Sequence, residues 1–276
     1  MRWTRRERSA DLEDRRGQRM SRGGTIGCGT LLLLIALSVV FKQDFVSLLG
    51  PAFVSNEPMS TSNSDFRTSP DEEELVDFMS FVLDDLQGTW SRILPERYQR
   101  ARMVLFRDVV RSACGMNSSA TGPFYCPGDG NIYLDLSFFK ELRSQFGASG
   151  DFAQAYVIAH EMGHHIQNLL GIESEMRRVQ SRNPGNTNDL SVRLELQADC
   201  FAGVWGHSTS ERGLLDRDDP SEALEAAAAI GDDRIQRQTQ GWVSPESFTH
   251  GSSAQRQEWF QRGFTTGDPE RCDTFS

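Results

Sequence analysis

The pattern of apolar positions divides the chain into a short N-terminal part and a long C-terminal part. Residues 26–41 carry no charge, and after an interruption at Lys42 and Asp44 apolar residues continue to Leu49. An apolar run of this kind behind an arginine-rich leader predicts an uncleaved transmembrane signal anchor over residues 26–49. A cleavable signal peptide and a buried core helix are the alternatives.

The pattern after this run predicts a linker followed by a mainly helical domain. Residues 50–69 are rich in Pro, Ser, Thr and Asn, which is typical of a linker. From Pro70 to about Gln87, apolar residues recur at spacings of three and four and predict an amphipathic helix. Phe124–Tyr125 and Ile132–Leu134 are separated by Pro and Gly residues and predict two strands around a turn. A short helix over Ser137–Phe146 is expected to follow.

Charge also differs between the two parts. The first 50 residues carry a net charge of +4, whereas the remaining 226 carry −14, within a total of 29 basic and 39 acidic residues. An acidic body argues against binding of nucleic acid. Since basic residues mark the cytoplasmic side of a membrane segment, residues 1–25 are predicted to form a cytoplasmic leader. Everything after the anchor is then predicted to lie outside the cytoplasm.

The five cysteines agree with an extracytoplasmic body. Cys28 lies in the apolar run, and the other four lie in the body. An even number of cysteines in an oxidising compartment favours disulfides. We predict a Cys114–Cys126 bond, because these residues flank one loop, and by elimination a Cys200–Cys272 bond. Spacing alone permits three pairings, and four free thiols are the alternative.

The strongest chemical signal is an H-E-x-x-H pattern inside a predicted helix over Asp151–Gly171. Asp151 is a suitable N-cap and Gly171 a suitable helix end. His160 and His164 are four residues apart, so both imidazoles share one helix face and can bind one metal ion. Glu161 is placed to act as a general base on water at that ion.

A catalytic zinc ion needs a third protein ligand. The segment Asn188–His207 is a second predicted helix, and it carries Glu195 and Asp199 on one face. Two carboxylates on a largely apolar helix are costly to bury without partners. We therefore predict that Glu195 binds the metal and that Asp199 accepts the free N–H of a metal-bound imidazole. A solvated pair of surface carboxylates is the alternative.

The stretch HEMGHHIQ followed by RLELQADCFAG resembles the neutral zinc metallopeptidase family of bacterial membrane proteins, as does the leader MRWTRRERSADLEDRRGQR. The resemblance extends over nearly the whole chain, and H-E-x-x-H with a downstream E-x-x-x-D is the gluzincin arrangement. The resemblance implies one zinc ion held by His160, His164 and Glu195, with Glu161 as the general base. It also implies that Asp199 contacts a metal ligand without binding the ion itself.

A group that stabilises a developing oxyanion is also needed. CAAX-protease-like peptidases carry Thr-His-Pro followed by an arginine that contacts the transition state. Thr249–Gly251 with Arg256 is similar to this motif, although Gly251 replaces the proline. We rank His250 first as the catalytic donor. The other polar candidates are His207, Arg234 and Tyr133.

The expected fold is α+β, a mainly helical zincin-like domain over residues 70–276 with a small antiparallel sheet, preceded by one transmembrane helix. The strand near Asn131–Asp135 is expected to be an edge strand beside the cleft, where it can pair with an extended substrate. The predicted function is a membrane-anchored zinc peptidase acting on proteins or peptides. A catalytically silent membrane-anchored scaffold or binding module that keeps the metal site, and a zinc amidase acting on cell-wall crosslinks, are the alternatives.

Overall fold

The computed structural model describes residues 1–18, 68–182 and 184–276. Residues 1–18 and 68–276 form one compact unit. The predicted anchor over 26–49 lies outside the described residues, and so does the predicted linker apart from its last two residues. Within the described ranges, no helix combines the length and apolar character that crossing a bilayer requires.

The described residues are mainly helical, as the sequence predicted. Ser69 caps the first helix through its side chain, and this helix continues about six residues beyond the predicted end at Gln87. The helix with the H-E-x-x-H pattern begins at Asp151, so Asp151 lies in the first turn and Gly150 takes the predicted capping position. The described helices are α1 (Pro70–Ile93), α2 (Ser137–Phe146), α3 (Asp151–Leu169), α4 (Ile172–Arg182), α5 (Thr187–Glu211), α6 (Asp219–Ala229), α7 (Asp232–Gln240) and α8 (Ser253–Thr266).

The strands form a mixed sheet and a separate hairpin, so the predicted small antiparallel sheet is only partly correct. The main sheet has the order β1-β2-β6-β5. Its first two pairings are parallel, and only the β5–β6 pairing is antiparallel. The strands β3 and β4 pair with each other in antiparallel fashion. The strands are β1 (Leu12–Asp14), β2 (Arg102–Phe106), β3 (Val109–Ser112), β4 (Gly115–Ser118), β5 (Phe124–Cys126) and β6 (Asn131–Asp135).

The free edge of this sheet differs from the predicted one. Strand β6, which is the segment Asn131–Asp135, lies between β2 and β5 and is therefore an interior strand. Among the described strands β5 pairs only with β6, so it forms one edge of the sheet and β1 forms the other. The predicted Cys114–Cys126 bond is present and ties β5 to the β3–β4 hairpin.

Residues 1–18 are an integral part of the folded unit rather than a separate leader. Strand β1 pairs with β2, with Leu12 opposite Met103. The side chain of Arg16 is 1% exposed and forms ion pairs with Glu72 at 2.8 Å and Glu73 at 2.9 Å. The basic N-terminal segment thus packs against the acidic first turn of α1, whose carboxylates attract the arginines and also suit the positive end of the helix dipole.

This packing conflicts with a membrane between the two segments. Strand pairing and buried ion pairs require direct contact, so residues 1–18 and the body share one compartment when they are packed in this way. The arginine distribution predicts opposite sides for them. The location of the body outside the cytoplasm stays a prediction.

Labelling of single cysteines in intact cells tests the packing. In a Cys28→Ser background, Arg2→Cys and Ser276→Cys should respond alike to a membrane-impermeant maleimide, because both positions are exposed on one folded unit. Within the described residues the Arg2 side chain forms only an exposed ion pair with Asp216, so its replacement should cost less than about 1 kcal/mol. Labelling at position 276 without labelling at position 2 would contradict the packing and support the topology with the N-terminus inside.

Candidate active site

The histidines of the motif lie where α3 crosses α5. A Cβ atom at Gly163 would lie 2.8 Å from the Cα atom of Ala198, so only glycine permits this close approach of the two helices. The crossing brings Glu195, one turn before Ala198 on α5, opposite His160 and His164 on α3. The spacing of the motif and the packing of a second helix together assemble the predicted ligand set.

The geometry of these three side chains fits a tetrahedral zinc ion. The His160 Nε2 atom lies 3.1 Å from Glu195 Oε2, and His164 Nε2 lies 3.5 Å from Glu195 Oε1. Zinc bonds of about 2.1 Å at tetrahedral angles separate ligand atoms by roughly 3.4 Å. One ligand atom from each of the three residues lies within 4.8 Å of the others, so His160, His164 and Glu195 could hold a single ion.

Each histidine has a partner at its other ring nitrogen. The His160 Nδ1 atom lies 2.8 Å from Asp199 Oδ1, and His164 Nδ1 lies 2.9 Å from Gln167 Oε1. If both Nδ1 atoms carry the proton, both Nε2 lone pairs are available to a metal. The sequence predicted this position for Asp199 and missed Gln167. The sequence does contain a signal for this contact, because His164 and Gln167 are three residues apart on one helix and are therefore neighbours on its surface.

The electrostatics of the ligand set favour a cation. Burial alone lowers the pKa of His160, but the nearby carboxylates of Asp199 and Glu195 raise it to about 10. Burial raises the pKa of Glu195, but the neighbouring His164 and His160 lower it by more. The pKa of Glu195 is therefore below its usual value. A metal that binds here therefore replaces a proton on His160, and its affinity depends on pH.

A cleft of about 530 Å³ opens in front of the ligand set. Its wall along α3 runs from Val157 to Gln167, a distance of about 15 Å at the helical rise per residue. Edge strand β5 forms another part of the wall through Phe124 and Tyr125. The cleft is lined by apolar side chains and by charged side chains of α4. The apolar ones include Phe138, Ile230 and Ile235, and the charged ones are Glu173 and Arg177.

Glu161 lies in the cleft wall directly beside the ligands. The residue is 7% exposed, and within the described part of the chain no side chain hydrogen-bonds its carboxylate. Its oxygens are therefore available to water in the cleft. A carboxylate beside a metal-bound water is the arrangement that general-base catalysis requires.

His250 is the predicted oxyanion donor that the structure brings to the cleft. Its side chain is 52% exposed and lines the cavity, and its Nδ1 atom lies 3.2 Å from Asp232 Oδ1. The hydrogen bond from His250 Nδ1–H to the Asp232 carboxylate is the main cause that raises the pKa of His250. The other candidates lie elsewhere: His207 bonds to the Phe264 carbonyl, Tyr133 bonds to Asp129, and Arg234 is not among the described cleft residues.

Arg256 does not take the position that the resemblance implied. Its side chain is 2% exposed, and its Nε atom donates to Asp199 Oδ2 at 2.8 Å. The guanidinium group faces the buried carboxylate behind the ligands. A contact between Arg256 and the transition state is therefore not supported.

A cluster of acidic side chains lies at the start of α3, away from the H-E-x-x-H motif. Within the described residues, Asp151, Asp219 and Glu222 are also close enough together to hold a cation. The Met1 amino group lies 2.8 Å from Asp151 and 3.1 Å from Asp219. This cluster is occupied by a cation of the protein itself, so it gives no indication of a second metal.

Comparison with known proteins agrees with the site. The family model described as putative neutral zinc metallopeptidase matches residues 1–275. The uncharacterized protein YpfJ of Escherichia coli K12 is 47% identical over 288 residues, which cover 100% of this chain and 99% of YpfJ. The uncharacterized protein Rv2575 of Mycobacterium tuberculosis H37Rv is 45% identical over 243 residues, 81% of each chain. No solved structure matches the chain significantly. The chain belongs to the putative neutral zinc metallopeptidase family.

Proposed function

We propose that the protein is a zinc-dependent peptidase that hydrolyses peptide bonds with Glu161 as the general base. The observation that carries this proposal is the meeting of three zinc-type ligands with an unpaired carboxylate in one open cleft. A site that only stored zinc would be closed by a fourth protein ligand. The three ligands leave one coordination position for water or substrate.

The residues of the site divide the chemistry between them. Bound zinc supplies Lewis acidity, which polarises the scissile carbonyl and lowers the pKa of water toward 7. A Glu161 carboxylate oxygen accepts a proton from the attacking water and delivers it to the leaving nitrogen. His250, which also lines the cleft, would donate a hydrogen bond to the oxyanion that forms on the carbonyl.

The shape of the cleft supports an extended polypeptide as the substrate. A wall of about 15 Å along α3 matches four to five residues of an extended chain at roughly 3.3 Å per residue. The free edge of β5 offers backbone donors and acceptors beside this wall. A substrate that adds a strand to β5 would be held by its backbone, with its side chains in flanking pockets.

Membrane anchoring through residues 26–49 stays a part of this proposal that rests on the sequence alone. The apolar run and its arginine-rich leader support it. The two alternative functions share the metal site with the peptidase and differ in what happens at Glu161 and in the bond that is cleaved. The predictions below are designed to separate them.

Zinc binding by the purified full chain is the first prediction. One zinc ion per chain is expected. Loss of a residue that only hydrogen-bonds a metal ligand typically weakens metal binding by about 10–100-fold, so Glu195→Ala, which removes a ligand itself, should weaken zinc binding by at least that much. Since zinc displaces a proton from His160, whose pKa is about 10, affinity should rise by up to about tenfold per pH unit below that value. Competition with a chelator at several pH values measures both effects. Glu173→Ala, which removes a cleft carboxylate outside the ligand set, is the control. Unchanged affinity in Glu195→Ala would remove this residue from the ligands.

Loss of the general base is the second prediction. Glu161→Gln should keep the zinc and lower turnover by about 10²–10⁴-fold, because the amide cannot accept the proton. New N-termini can be counted by terminal-amine labelling of a proteome-derived peptide library incubated with each purified variant. Glu141→Gln, which changes an exposed carboxylate that is not among the cleft residues, should cleave as the wild type does.

Equal cleavage by the wild type and Glu161→Gln would contradict the proposed mechanism. A zinc-loaded wild type that cleaves no peptide in the library would favour the scaffold. Release of amines from cell-wall crosslinks without any peptide cleavage would favour the amidase.

The role of His250 is the third prediction. His250→Ala should lower kcat by about 10²–10³-fold, as the loss of an oxyanion donor does in other hydrolases. Zinc content should not change, because His250 is outside the ligand set. His207→Ala is the matched control, since this histidine bonds to the Phe264 carbonyl and lies outside the cleft. A kcat in His250→Ala equal to that of the wild type would exclude the assignment.

A further inference from the structure

We propose that Arg256 is a positioning residue that acts on the metal site through Asp199. In this proposal, which rests on the proposed zinc site, the guanidinium group fixes the Asp199 carboxylate so that His160 keeps its Nε2 atom toward the ion. Arg256 would touch neither the ion nor the substrate. It would determine how tightly the ligand set binds zinc.

The contacts around Asp199 support this role. Asp199 is fully buried, and its Oδ1 atom meets His160 Nδ1 at 2.8 Å and Arg256 Nη2 at 2.9 Å. The Tyr156 hydroxyl donates to the same oxygen. The Arg256 Nε atom donates to Oδ2 at 2.8 Å, so the guanidinium group grips both carboxylate oxygens. A carboxylate held at both oxygens cannot rotate away from His160.

The nitrogens of Arg256 are all engaged within the protein. Besides Nε and Nη2, its Nη1 atom donates to the Ile230 carbonyl at 3.3 Å. The whole residue is 2% exposed although one side of it lines the cleft wall. These contacts account for four of its five N–H groups and hold the guanidinium group against Asp199, Tyr156 and the Ile230 carbonyl.

The charges explain why an arginine is required. A buried carboxylate without a counter-charge is strongly unfavourable, and removal of one partner from a buried ion pair is strongly destabilising. Arg256 balances Asp199, so the carboxylate can orient an imidazole inside the core. Lysine carries the same charge but has no planar fork to hold both oxygens.

The packing of α8 on α5 brings Arg256 to this position. A Cβ atom at Gly203 would lie 2.1 Å from the Phe260 carbonyl oxygen, and one at Gly263 would lie 1.9 Å from the Cys200 carbonyl oxygen. These two glycines let the helix backbones touch. The Cys200–Cys272 bond then fastens the chain after α8 beside Asp199. The C-terminal segment is thereby part of the metal site's support.

A double-mutant cycle on the full chain tests the proposal, with zinc affinity measured by chelator competition. Arg256→Met and Asp199→Asn should each weaken zinc binding by about 10–100-fold, the usual effect of losing an outer partner. In the Asp199→Asn background, Arg256→Met should add less than about twofold, because the carboxylate that it holds is already absent. Arg262→Met, which removes a partly exposed arginine of the same helix, is the control and should bind as the wild type does.

Three results would overturn the proposal. Effects that multiply in the double variant would mean that Arg256 acts independently of Asp199. Normal zinc affinity with reduced kcat in Arg256→Met would mean that it acts on the substrate. If Arg256→Met does not fold, Arg256→Lys replaces it and should weaken binding by about tenfold; wild-type affinity in that variant would exclude positioning by the fork. A wild type that binds no zinc would instead contradict the proposed function, so the two failures are distinguishable.

Discussion

The active site depends on how closely α3 and α5 can approach each other. Gly163 stands at their crossing, and any side chain there would collide with the backbone of Ala198. At this separation Glu195 comes within 3.1 Å and 3.5 Å of the two imidazoles. A wider crossing would leave two histidines without a third ligand, because a zinc ion tolerates little variation in its bond lengths. One glycine inside the motif is therefore as necessary to the geometry as the histidines.

Buried polar side chains behind the metal ligands hold those ligands in position. Asp199 and Gln167 hold the Nδ1 atoms of the two histidines, and both partners are nearly inaccessible to solvent. Buried polar groups are tolerated when all of them are satisfied. Gln167 also donates to the Leu194 carbonyl, and Asp199 is held by Arg256. The site is thus continuous with the contacts that join α3, α5 and α8.

The sequence predicted the parts of the site that depend on local spacing. The H-E-x-x-H pattern and the helix that carries it follow from periodicity. The position of Asp199 beside an imidazole of the motif was predicted from the residue types, and the predicted Cys200–Cys272 bond is present although spacing alone permitted three pairings. Other contacts that depend on distant packing were missed. The contact of Arg256 with Asp199 joins residues 57 positions apart. Strand β1 was missed because Leu12–Asp14 is too short and too charged to give a strand pattern, and it forms only against β2.

X-ray absorption at the zinc edge of the zinc-loaded full chain tests whether His160, His164 and Glu195 hold one zinc ion. The expected spectrum shows two imidazole nitrogens with one or two oxygens at about 2.0–2.2 Å, and one imidazole is lost in His164→Ala. A shell with sulfur at about 2.3 Å, or a shell of oxygens without imidazole, would contradict this ligand set.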